Sequence, residues 1–370
     1  MFSFPRVIVT LLLLIAAQRS HSQSLRSTAE RIRLKYHIPE LGYAVVAADT
    51  VYEINLSGYK KAGSLQKAAS GDRFRIGSNT KAITGVLAAM LVHKGIISWE
   101  TKFFDLFPEL RSQSDTAYYN MNLLQMLSMR SPLPGYTYTN EEPRPEQFSG
   151  DNIAQRLAFF TWALKQPPVI KPDMNLTNMG YVGAGLMLER ATHQSYEELV
   201  AALGAQLHIS FGLDNPNNSD SLQTWGHNAQ LIPDPPGAHY KLNWLCAAGN
   251  INISLGDYVK YLQWIQAGLK GQLSELTKTD FEFLLFGQPS FSIGWFNRED
   301  KNGNKIAWNF GNPGTFLSDV QIDTSNNIAF VIFANAQTPE AEKGLAVLHA
   351  AIEKKYQKNV SRRSKQRSHN

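Results

Sequence analysis

Arg75-Ile76-Gly77-Ser78-Asn79-Thr80-Lys81-Ala82-Ile83-Thr84-Gly85-Val86-Leu87-Ala88-Ala89-Met90-Leu91 is the stretch from which the rest of the chain can be read. Ile83, Val86, Leu87, Met90 and Leu91 recur at helical spacing with small residues between them, a pattern that predicts a buried helix. Ser78 follows a glycine and stands at the first turn of that helix. There, free backbone N–H groups and the positive end of the helix dipole face whatever the serine attacks. Lys81 comes three residues later, one turn on and on the same face. A lysine held against a buried helix loses solvation, its pKa falls, and the neutral amine can accept a proton. Ser78 is therefore a candidate nucleophile with Lys81 as its base, an activation that needs no histidine.

Taken alone, Ser-x-x-Lys describes many polar helix caps followed by a solvated lysine. Its surroundings are more specific: the apolar helix, then Lys94-Gly95-Ile96-Ile97-Ser98, then Phe104-Asp105-Leu106-Phe107-Pro108-Glu109-Leu110. Together these pieces resemble the serine β-lactamase and penicillin-binding superfamily, most closely its class C-like serine hydrolase branch. The resemblance runs from about Leu41 to Ala351. It implies an α+β fold, an antiparallel sheet flanked by helices plus a mainly helical lobe. It also implies acyl-enzyme chemistry on an ester, amide or peptide, with no cofactor.

The second family motif, Tyr-x-Asn, aligns with Leu176-Thr177-Asn178, ahead of Met179-Gly180-Tyr181. The resemblance gives Asn178 the task of positioning the lysine and the substrate amide. The tyrosine that moves a proton is replaced by Leu176, which cannot do so. The third motif, a cation followed by a small polar residue and glycine, aligns with Asn309-Phe310-Gly311. By resemblance Asn309 and Gly311 line the substrate cleft, and the N–H of Asn312 pairs with that of Ser78 as an oxyanion hole. A backbone hole needs no particular side chain and so tolerates both substitutions. Without the cation, a substrate carboxylate loses its strongest partner, so neutral esters and amides are favoured over β-lactams. Two altered motifs also keep open a non-catalytic binding or sensing protein on the same scaffold.

Trp225-Gly226-His227 falls in a loop that the resembled branch brings near the cleft, so His227 is a candidate for the missing base and, more readily, a substrate contact or a structural residue. Tyr136 and Tyr138, after Pro134-Gly135, could place a phenol near the site but are read chiefly as surface or packing residues, and Asp257 as a cap or brace for its helix. The nine histidines form no metal-binding spacing, so no metal is expected.

The 370 residues are 43% hydrophobic and 18% charged, ample for a core. Arg6 and the apolar run Val7 to Ala17, then Ser20-His21-Ser22, read as a secretory signal peptide over residues 1–22, with an uncleaved anchor as the alternative. Cys246 is the single cysteine and is expected to be a buried hydrophobe. An export signal without disulfides suggests a periplasmic or secreted protein of the bacterial envelope. Of the 36 Lys and Arg, seven lie from Lys354 onward and two precede residue 23. The hydrolase domain, residues 23–353, therefore holds 27 basic against 31 acidic residues, about −4, despite a total of +5. Residues 354–370 read as a loose basic tail able to touch anionic envelope surfaces. Nucleic acid fits an exported chain poorly; a small molecule, a peptide or a peptidoglycan fragment is the expected partner.

Helices are expected over Leu25 to Tyr36, Asp151 to Lys165, Val182 to Arg190, Leu255 to Gln266 and Pro339 to Tyr356. Strands are expected over Leu41 to Ala48, Val51 to Leu56, Phe291 to Asn297, Lys305 to Asn309, Thr315 to Ile322 and Ile328 to Ala334. Helix, strands, helical block, strands, helix is an α+β order.

Overall fold

The computed structural model describes residues 25–237, 239–300 and 303–367, with side chains as far as Tyr356. The expected signal peptide lies outside these residues.

Alternation of apolar and polar residues is absent from the first strand because both of its faces are covered. The strand β1, Glu40–Ala47, is buried at all eight positions. It pairs antiparallel with β2, Thr50–Gly58, on one side and with β9, Ile328–Ala334, on the other. After the small sheet formed by β3 (Arg73–Arg75), β4 (Gly212–Leu213) and β5 (Ile251–Ser254), the main sheet is completed by β6 (Phe296–Glu299), β7 (Lys305–Gly311) and β8 (Leu317–Asp323). Its order is β2-β1-β9-β8-β7-β6. Successive side chains of a strand leave on opposite faces. Accordingly Tyr43, Val45, Phe330, Ile332 and Ala334 join one core cluster, with Leu25, Ile32, Leu345 and Leu348 from the two terminal helices. Ala44, Val46, Ala329, Val331 and Phe333 join the other, which also holds the apolar residues of the helix that follows Ser78. A sheet covered on both faces reads as unbroken apolar runs, as β1 and β9 do.

The nucleophile helix, Thr80–His93, is buried from Thr80 through Leu91, so it is a central element rather than an amphipathic surface helix. Helices Asn152–Ala163, Met179–Thr192 and Tyr196–Leu207 build the helical lobe, and Leu255–Leu269 and Lys278–Phe286 flank the sheet. Asp151 caps the first of these, its Oδ1 accepting from the N–H of Ala154 at 2.9 Å. Ser254, not Asp257, caps Leu255–Leu269; Asp257 braces the first turn by pairing with Lys260 at 2.8 Å.

Two expected boundaries move furthest. The strand expected from Phe291 begins at Phe296, because Gly294 turns the chain with φ +81°. A Cβ there would stand 2.3 Å from the Cα of Ala82, so the turn is pressed onto the nucleophile helix. The loose tail expected from Lys354 continues instead as the last helix, Pro339–Arg367. Lys355 and the Tyr356 hydroxyl both bind the Glu53 carboxylate on β2, which ties the first residues of the expected tail to the sheet.

Candidate active site

Ser78 lies in a single 3₁₀ turn, Gly77–Asn79, wedged between the end of β3 and the nucleophile helix. Gly77 adopts φ +50°, and a Cβ on it would lie 2.9 Å from the backbone N of Asn312. The turn and the end of β7 are therefore in backbone contact, which needs glycine at residue 77. Asn79 fixes the turn from behind: its Nδ2 donates to Ser318 Oγ at 2.6 Å, and Ser318 Oγ donates to the Ile76 carbonyl at 2.8 Å. Ser78 and Asn312 thus sit on adjoining backbone segments. Neither amide donates to another group among the described residues.

Lys81 is 2% exposed. Its Nζ lies 3.0 Å from Ser78 Oγ, 2.8 Å from Asn178 Oδ1 and 2.9 Å from the Ala248 carbonyl. All three partners are neutral, and burial lowers the Lys81 pKa to about 7. Asn178 precedes the helix Met179–Thr192, and its Nδ2 donates to the Tyr136 carbonyl at 2.9 Å, which fixes Oδ1 toward the lysine. Tyr181, one turn further along that helix, places its ring 5.5 Å below Nζ. The Ala248 carbonyl is held through its neighbour: Thr84 Oγ1 donates to the Ala247 carbonyl at 2.7 Å.

The structure thus brings the sequence candidates Ser78, Lys81 and Asn178 together around Nζ. Sequence reasoning missed the Ala248 carbonyl and the ring of Tyr181, although both fall within segments singled out for other reasons. Leu176, at the tyrosine position, is 55% exposed and borders the cleft.

Three assignments need correction. Asn309 borders the cleft, but its Nδ2 donates to the carbonyls of Ser78 at 3.1 Å and Gly294 at 2.8 Å. Two carbonyl partners fix the amide orientation, so Asn309 supports the Ser78 turn and keeps only Oδ1, an acceptor, for anything else. Gly311 was expected to let a substrate pass close. A Cβ there would instead lie 2.0 Å from the Ile76 carbonyl and 2.4 Å from Ser318 Oγ, so glycine is required by packing against the Ser78 turn. His227 is fully buried, with Nε2 accepting from the Ala62 N–H at 3.0 Å and Nδ1 2.6 Å from the Asn335 carbonyl. Burial lowers its pKa, and with both ring nitrogens engaged it is a neutral structural tie rather than a cleft residue.

The cleft over Ser78 has a volume of about 290 Å³. Met129, Tyr136, Leu176, Phe291, Phe296 and Phe310 give it apolar walls. Apart from Lys81 and the phenol of Tyr136, its lining carries no ionisable side chain. Tyr136 packs its ring 4.7 Å from that of Phe159, and Tyr138 donates its hydroxyl to the Gly249 carbonyl at 3.1 Å. Cys246 is buried and its thiol pKa is pushed up by burial, as expected of a core residue.

The match to known proteins agrees with this geometry. Protein flp of Staphylococcus aureus (strain MRSA252) is 23% identical over 349 residues, 89% of this chain. The chain spans 66% of the length of that relative. The octameric penicillin-binding protein homologue from Pyrococcus abyssi superposes with a TM-score of 0.71 at 18% identity, over 89% of this chain and 77% of that one. The class C beta lactamase from Rhodobacter sphaeroides superposes with 0.70 at 15% identity, over 90% and 99%. Both share its fold. The Beta-lactamase family model matches residues 21–353, and the chain belongs to that family of β-lactamase-like serine hydrolases.

Proposed function

We propose that this protein is an exported serine hydrolase that acts through an acyl-enzyme on an ester, amide or peptide whose reacting end is uncharged. The observation that carries this reading is the contact of Lys81 Nζ with Ser78 Oγ at 3.0 Å, in a setting where burial brings the lysine pKa to about 7. At neutral pH about half of such lysines are unprotonated and can take the hydroxyl proton as Ser78 attacks. Asn178 holds Nζ in line, and the amides of Ser78 and Asn312 receive the developing oxyanion. Lys81 then returns the proton to the leaving group and, in the second step, draws one from water. The cleft supports an uncharged reacting end because Asn309 offers an oxygen acceptor where a cation would be needed to hold a carboxylate. Incubation of the protein with 4-nitrophenyl butyrate and, separately, with benzylpenicillin tests this. Ester turnover that vanishes in Ser78→Ala, with much weaker action on the penicillin, is expected; equal ester turnover in Ser78→Ala would refute it.

A second reading rests on Leu176. With an exposed leucine at the tyrosine position, the site lacks the usual second proton carrier, which suits a binding or sensing protein for peptides or peptidoglycan fragments. It predicts saturable binding without turnover, equal in the Ser78→Ala protein. Export to the bacterial periplasm or envelope is supported by the apolar run after Arg6. A mature protein beginning near Gln23 after expression in a bacterial host would bear it out, and retention of Met1 on a cytoplasmic product would not. Contact of the basic C-terminal segment with anionic envelope surfaces is part of the same proposal.

A further inference from the structure

A second and larger cleft, about 700 Å³, adjoins the one over Ser78. The two meet along three stretches of chain: Met129 and Arg130, Asn175 and Leu176, and Ser290 and Phe291 each divide between them. The shared walls are firmly built. The Asn175 N–H donates to the Met129 carbonyl at 2.8 Å, and its side chain donates to the carbonyls of Ser131 and Leu133. Arg130 joins the helical lobe to the chain before β6: Nη1 donates to the carbonyls of Ser128 at 2.7 Å and Phe291 at 2.9 Å, and Nη2 to that of Pro289 at 2.7 Å. These acceptors are neutral, so the guanidinium has no carboxylate bonded to it. Lys171 stands exposed on the same cleft and makes no ion pair among the described residues. Asp173 is the one acid of the lining and offsets one of the two positive charges.

Resting on the hydrolase reading, we propose that this second cleft is a substrate subsite for an arm ending in a carboxylate, with Arg130 and Lys171 as its cations. The charge absent from Asn309 is thus supplied on a different wall, remote from the reacting carbonyl. A cleft of this size admits an extended arm several bonds long, and its net charge of about +1 selects an anion at the far end. Neutral substrates use the Ser78 cleft alone; carboxylate-bearing ones gain the second.

The test uses two ester series. In one, 4-nitrophenyl monoesters of dicarboxylic acids from glutaric to sebacic acid are compared with neutral 4-nitrophenyl esters of equal length. In the other, butyryl thioglycolate is compared with ethyl thiobutyrate, which moves the charge to the leaving group. The quantity read is the ratio of kcat/KM for the anionic to the neutral member, at low salt, in the native protein and in Lys171→Glu. Lys35→Glu, an exposed lysine elsewhere, controls for total charge. The ratio should exceed one for at least one chain length or placement and fall about five- to tenfold in Lys171→Glu only. A ratio unchanged by Lys171→Glu throughout would overturn the subsite while leaving hydrolysis intact. If no ester turns over, the hydrolase reading fails, and binding of 4-nitroanilides of the same acids to Ser78→Ala protein decides the subsite. Tighter binding of the anionic anilides that is lost in Lys171→Glu upholds it; equal binding rejects it.

Discussion

Replacing Asn178 by Asp would place a carboxylate where an amide oxygen now lies 2.8 Å from Lys81 Nζ. At present the lysine has only neutral partners, and burial holds its pKa at about 7. An opposite charge at that distance favours the ammonium and raises the pKa by about 1–3 units. The new value would be about 8–10, so at pH 7 the unprotonated fraction falls from about one half to between about 10% and 0.1%. Serine acylation at pH 7 should therefore slow by about 5- to 500-fold and recover as the pH approaches 10. The assay is the rate of Ser78 labelling by a fluorophosphonate from pH 5.5 to 10. In the native protein the rate should rise with unit slope through about pH 7 and then level. In Asn178→Asp the rise should move to higher pH. Asn178→Ala serves as control, since it removes the positioning contact without adding charge and should lower the rate without that upward shift. A native profile flat across pH 7, or an Asn178→Asp midpoint that does not move, would refute the view that Lys81 acts as a desolvated base.

Gly77→Ala should cost about 1–3 kcal/mol of stability, from the strained φ of +50° and a Cβ 2.9 Å from Asn312 N, and should also slow Ser78 labelling as the Asn312 amide is displaced. Comparing urea midpoints with labelling rates checks both, and unchanged labelling would deny the amide its role. In the helical lobe, Arg156 is buried and binds Glu189 and Glu197. Arg156→Ala leaves Glu189 buried without its cation and should destabilise by about 3–5 kcal/mol, while pairing Arg156→Met with Glu189→Met should recover much of the loss. Burial works against the charge of His349, but its contacts with Asp319 at 2.7 Å and Glu353 outweigh it and raise the pKa to about 9. Because the folded pKa exceeds the unfolded one, this stabilisation is full below about pH 6.5 and is lost as the pH rises through 9. The Tm difference between native protein and His349→Leu should narrow across that window; a constant difference would dismiss the ion cluster as a stabilising element.

The parts of the molecule legible in the sequence are those dictated by local period and spacing. Thr80–His93 announced itself through apolar residues one turn apart, and Ser78 with Lys81 through a separation of one turn. Strands β1 and β9 were legible as apolar runs, although only the structure shows that opposite faces serve two cores. Asn178 was placed by a motif that keeps its Asn, and its Oδ1 lies against Lys81 Nζ. Orientation was less legible. Whether Asn309 faces a ligand or the Ser78 turn depends on the carbonyls of Ser78 and Gly294, which no local pattern brings together. Likewise, the partners of His227 are Ala62 and Asn335, each more than 100 residues away. The aromatic walls of the Ser78 cleft come from segments joined only by the fold, and no periodicity in any one segment predicts them.

The most direct test of the central claim is intact-protein mass spectrometry after exposure to a fluorophosphonate, with Ser78→Ala and Lys81→Met alongside. Lys81→Met removes the base while keeping an apolar side chain of similar length against the helix. A single adduct is predicted on the native protein, none on Ser78→Ala, and labelling slowed by at least about 100-fold in Lys81→Met. Equal labelling of the native and Ser78→Ala proteins, or no adduct on the native protein from pH 6 to 10, would contradict the account.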